Sequence, residues 1–148
     1  MTAVISDLQT APRPARAMTY EQLLEKVRYE GAYPTRERAE QAVRLVVSGL
    51  GRQLTGEERV ELAARLPHEA ACILTEQVPD VQPLSGWALV KDLAGRAGAP
   101  LATTRWDTGS VLSAIASLAG PELLTRILNQ LPAGYALLFG RAELTQAA

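Results

Sequence analysis

The sequence predicts an all-α protein: a tandem duplication of a four-helix unit packed into one compact helical bundle. Three observations carry this reading. Apolar residues recur at helical spacing and never alternate as in a strand, Ser/Thr-type helix starts punctuate the chain, and a set of apolar positions with a Leu-Pro step returns 65 residues later.

Residues 1–18, with "APRPAR" among them, lack apolar periodicity and are expected to form a disordered N-terminal tail. Thr19 with Gln22, and Thr55 with Glu58, have the capping-box spacing, in which each side chain satisfies the other residue's free amide. They mark two helix starts. Tyr20, Leu23, Leu24 and Val27 form one apolar stripe, and Ala39, Val43, Val46, Val47 and Leu50 form another. Gly31 and Gly51 are expected to stop these helices, and Pro34-Thr35 to begin the second, giving helices near 19–30, 35–50 and 55–65. Proline disfavours helical geometry in the residue before it, so Leu66-Pro67 turns the chain sharply into a short helix near 67–75.

The second unit follows the linker "EQVPDVQP". Val46, Val47 and Leu50 align with Val111, Leu112 and Ile115; Leu62, Leu66 and Pro67 align with Ile127, Leu131 and Pro132; Ile73 and Leu74 align with Leu138 and Phe139. Gly120-Pro121 takes the place of the Thr55 cap, and the first helix aligns best at an offset of 66. The expected organisation is a tail at 1–18, a first unit at 19–75, a linker at 76–84, a second unit at 85–140 and a C-terminal tail at 141–148. Both units share one core, since a unit of about 56 residues is near the lower limit for independent stability.

The segments "MTYEQLLEKVRYEG" and "RAEQAVRLVVSGLGRQLTGEERVELAARLPHEAACIL" resemble the bacterial family catalogued as domain of unknown function 2267, from about Met18 to Glu143. That resemblance implies an all-helical cytoplasmic protein and brings no catalytic residues. The second copy departs from the pattern in carrying few charges.

A formal net charge of -1 leaves no field to gather phosphate polymers, so nucleic acid is an unlikely partner. Arg13, Arg16, Arg36, Arg38, Arg44 and Arg52 are the residues that would serve it, but Glu37 and Glu40 interrupt the set. No secretory signal opens the chain and no apolar run reaches the roughly 18–20 residues that cross a bilayer, so a soluble, cytoplasmic protein without a membrane partner is expected. "LAGRAGAP" lacks the Gly-Lys-Ser/Thr ending of a phosphate loop and reads as a helix stop.

His68 and Cys72, the only residues of their types, share a helix face but fall short of the roughly four ligands of a zinc site. They are expected to be a partly exposed histidine and a small buried cysteine. Glu57, Glu58 and Glu61 are expected on a solvated face, with Glu61 paired to Arg65 and Glu40 to Arg44. No catalytic, metal or cofactor site is expected.

Residues 19–74 carry 17 charges and residues 85–140 only 7, so part of the second unit should be covered by the first or by another molecule. Trp106 falls on Gln41 at the repeat offset, and Trp87 on Gln22 or Glu21. Trp87, Trp106 and Tyr135 are therefore the candidate residues for interaction or contact between the units. The expected function is a non-enzymatic interaction or regulatory module, with a second copy or another protein as partner. The alternative is a small-molecule-binding protein with a groove between the units.

Overall fold

The computed structural model describes residues 18–141. Among these the chain is all-helical: α1 (Tyr20–Gly31), α2 (Arg36–Gly51), α3 (Gly56–Arg65), α4 (His68–Thr75), α5 (Gly86–Ala97), α6 (Leu101–Gln130) and α7 (Tyr135–Leu138). The tail expected at 1–18 lies outside the described residues except for Met18, which packs partly against the core. Most of the C-terminal tail also lies outside them.

The Thr19 capping box forms as expected, with the Thr19 hydroxyl accepting from the Gln22 amide at 3.1 Å and Gln22 Oε1 accepting from the Thr19 amide at 2.9 Å. The Thr55–Glu58 box does not form, because Gln130 Oε1 accepts from the Thr55 amide at 2.7 Å and thereby takes the place of Glu58. Helices α1 and α2 end at Gly31 and Gly51, the two glycines expected to stop them. Each is the last residue of its helix and permits close approach there: a Cβ on Gly31 would sit 2.3 Å from the Tyr33 ring, and one on Gly51 2.3 Å from the Leu74 carbonyl oxygen. Ala32, in the left-handed region at φ 54°, caps α1 just after Gly31.

Leu66 is extended at ψ 153° ahead of Pro67, so α3 stops there and α4 begins at His68. In α6, Gly120 adopts φ 83° and ψ 162°, a geometry only glycine takes readily, and it breaks the helix into two arms ahead of Pro121. Arg59 gathers helix ends, since its guanidinium donates to the carbonyls of Gly51 at the end of α2 and Leu54 just after it, and of Leu74 in the last turn of α4 and Gln77 just after it. Helix C-termini leave such carbonyls without partners, and a cation there suits both their hydrogen bonding and their dipole.

One apolar core runs from Tyr20 to Phe139. The aligned sets are buried alike: Val46, Val47, Leu50 and Leu62 in the first half, and Val111, Leu112, Ile115 and Ile127 in the second. Fully burying each such side chain contributes roughly 1.5–3 kcal/mol before conformational entropy is counted. α6 packs against α1, α2, α3, α5 and α7, so the charge-poor second half is covered in large part by the first. By length and composition α6 is nevertheless apolar enough to cross a membrane, with an 18-residue window of mean hydropathy 1.4.

Candidate functional site

The charged and aromatic residues of the first arm of α6 meet the α1–α2 turn. Asp107 is buried and accepts from the Tyr33 hydroxyl at 2.6 Å and from Arg38 Nη2 at 2.9 Å, while Arg38 lies over the Tyr33 ring, 5.0 Å from its centroid. Burial, and then the hydrogen bond to the Asp107 carboxylate, push the Tyr33 hydroxyl well above the ordinary tyrosine range. One residue away, the Trp106 indole N–H donates to the Gly31 carbonyl at 2.9 Å. Successive α6 residues thus grip the end of α1 and the start of α2.

Trp106 is fixed by that bond and yet remains 56% exposed. Beside it opens a cleft of about 280 Å3, with Glu30 from α1, Arg105, Trp106, Gly109 and Ser113 from α6, and Leu137 from α7 in its lining. The Arg105 guanidinium lies across the bare backbone of Gly109, where a Cβ would come within 2.9 Å of its Nη1. Arg105 has no hydrogen bond or ion pair among the described residues. Glu30 is held by Lys26 at 3.6 Å.

The match to the family model DUF2267, described as an uncharacterized conserved protein, covers residues 20–138. The chain belongs to this family. No curated protein matches this DUF2267 chain.

Of the three residues singled out in the DUF2267 sequence, the structure places only Trp106 at this cleft. Trp87, near the start of α5, is 57% exposed and does not line it. Tyr135 is buried, and its hydroxyl donates to the Leu84 carbonyl at 2.8 Å, which pins the linker to α7. Gln22, Glu21 and Gln41, the polar counterparts of the two tryptophans, are exposed as expected.

His68 and Cys72 do meet, with Nε2 3.6 Å from Sγ, but Cys72 is half-buried and not fully buried as expected, because the short α4 leaves that face beside the exposed histidine. No group of three or more potential metal ligands occurs among the described residues. Glu61 departs from the expected Arg65 pairing. Arg126 Nη2 reaches it at 2.5 Å across the α3–α6 contact and holds its carboxyl below the ordinary range, while Arg65 donates to the Ala119 carbonyl at the α6 break. The arginines considered for nucleic acid are engaged where they are described: Arg36 with Glu25, Arg38 with Asp107, Arg44 with Glu40 and Arg52 with Gln77. Arg13 and Arg16 lie outside the described residues.

Sequence reasoning missed Asp107, Tyr33 and Arg105, and considered Arg38 only for nucleic acid. A signal existed for the first of them, since Asp107 opens a charge-free run that extends to Glu122. An acid at the edge of such a run needs a partner when it is buried.

Proposed function

We propose that this protein is a non-enzymatic interaction module of the cytoplasm that recognises a protein partner through the cleft beside Trp106. The observation that carries the reading is a half-exposed indole held rigid by its bond to Gly31. A large ring already fixed loses little conformational freedom on binding, which is how aromatic anchors contribute at interfaces. The cleft adds concavity, and its lining draws on both halves of the chain.

Cytoplasmic placement is supported by the packing of α6 on five other helices and by the buried Asp107 and Thr108 within it, which suit a protein core better than lipid. Tandem duplication of a four-helix unit is also part of this proposal. It is supported by the correspondence of α3 with the second arm of α6, where Arg65 reaches the Ala119 carbonyl at the break before that arm and Gln130 reaches Thr55 at the start of α3. Reciprocal end-to-start contacts at equivalent positions are what a pseudo-two-fold axis between copies would produce.

Trp106→Ala tests the function. Proteins bound by the native chain, together with its own association state by light scattering, are compared with those of the variant. Loss of a specific partner, with a melting temperature little changed, supports the reading. Identical partners and association state in the two proteins would overturn it.

A further inference from the structure

We infer that the cleft beside Trp106 recognises the free carboxyl terminus of a polypeptide that ends in a large apolar side chain; this rests on the interaction reading and names the partner's chemistry. The lining contains two charged side chains, but Glu30 is held by Lys26 at 3.6 Å, so Arg105 is the charge left without a partner. Arg105 is exposed, and its guanidinium rests on Gly109 at a place where any Cβ would displace Nη1. A planar guanidinium with free donors matches a carboxylate in a two-pronged arrangement. The Trp106 ring and Leu137, both 56% exposed, supply apolar surface in the same cleft, so one ligand residue would satisfy the cation with its carboxylate and the ring with its side chain.

The cleft, at about 280 Å3, is small for an internal segment passing through and suits a chain end. Arg105, Gly109 and Ser113 recur at four-residue spacing along α6, and the same row begins at Leu101, an apolar residue that is 42% exposed. The residues preceding a bound carboxyl terminus would find contact there, which favours a polypeptide over a free small acid.

The test uses the full chain, with acetyl-Gly-Gly-Phe as the free acid, the same peptide as its carboxamide, and acetyl-Phe alone. Binding is read from the Trp106 indole N–H signal, with Trp87 as the internal reference. The free acid should bind in the millimolar range or tighter, with the carboxamide weaker by about tenfold. Acetyl-Phe should be weaker by about threefold or more, for want of the contact toward Leu101. Arg105→Gln should erase the difference between acid and amide, and Arg105→Lys should restore part of it. No binding by the free acid, equal binding of acid and amide, or a difference that survives Arg105→Gln overturns the inference. Equal binding of acetyl-Phe identifies a small-acid site and overturns it too. If the inference fails while Trp106→Ala still removes a protein partner, the interaction reading stands and only the carboxyl-terminal chemistry is lost.

Discussion

Tyr33 and Asp107 are 74 residues apart in sequence and are joined by a hydrogen bond of 2.6 Å inside the protein. Arg38 completes the group, with its side chain 31% exposed. Asp107→Ala removes the shared acceptor and leaves the phenol and the partly exposed cation without it. It should lower unfolding stability by about 2–3 kcal/mol, and Tyr33→Phe by about 1–2 kcal/mol, in denaturant titrations. A change too small to measure in Asp107→Ala would mean that the contact does not hold the α1–α2 turn to α6.

Gly31 and Gly95 are both helical glycines, and they should respond to alanine in opposite ways. At Gly31 the new methyl would strike the Tyr33 ring and Ser110 Oγ, whereas at Gly95 nothing lies within 4 Å. Gly31→Ala should therefore destabilise by about 1–3 kcal/mol through overpacking. Gly95→Ala should stabilise by about 0.5–1 kcal/mol by restricting the unfolded chain. Thermal melts of the two variants shifting in the same direction would contradict this account.

The start of α3 takes its partner from the other end of the chain. Thr55 makes no side-chain cap bond within its own helix, while Gln130 accepts from its amide at 2.7 Å and donates to its carbonyl at 3.0 Å. Gln130→Ala should cost about 0.5–1 kcal/mol, more than Thr55→Ala, the reverse of the usual weight of an N-cap threonine. Hydrogen exchange at the first amides of α3 is the direct measure, and it should accelerate in the Gln130 variant only.

Alkaline pH should act through three phenols. Burial raises Tyr20, Tyr33 and Tyr135 above the ordinary value, Tyr20 to about 12, with carboxylates contributing after burial: Glu40 for Tyr20, Asp107 for Tyr33 and Asp80 for Tyr135. The folded state therefore favours the protonated form. That contribution is complete below the unfolded value of about 10 and is lost as pH rises through the raised folded values. Ultraviolet titration should show these phenols ionising late and together with the loss of helical ellipticity. Reversible ionisation of these three phenols near pH 10, over and above any signal from the exposed Tyr29, with ellipticity intact would contradict the burial.

Much of the helical plan was legible because its causes are local. The first four helices begin within a residue of the expected positions, since apolar spacing, the Thr19 cap and Leu66-Pro67 act over a single turn of chain. The errors came where a distant residue displaced the local partner: Gln130 in place of Glu58 at the Thr55 amide, and Arg126 in place of Arg65 at Glu61. Both contacts join residues more than 60 positions apart, and spacing within one helix carries no information about them. The cleft was half legible. Trp106 stood out against its polar counterpart, but Arg105 looked like any surface arginine until the structure laid it over Gly109.

Glu61 and Arg126 meet at 2.5 Å and are separated by the repeat interval of 65 residues, so under the proposed duplication each occupies the other's place. Two copies of the first half assembled in the same way would set glutamate against glutamate, and two copies of the second half arginine against arginine. Opposite charges at one shared position thus make the halves complementary to each other and repellent to themselves. During synthesis and refolding this charge difference disfavours pairing of two like halves from neighbouring molecules, and it makes either half alone a poor partner for its own copy.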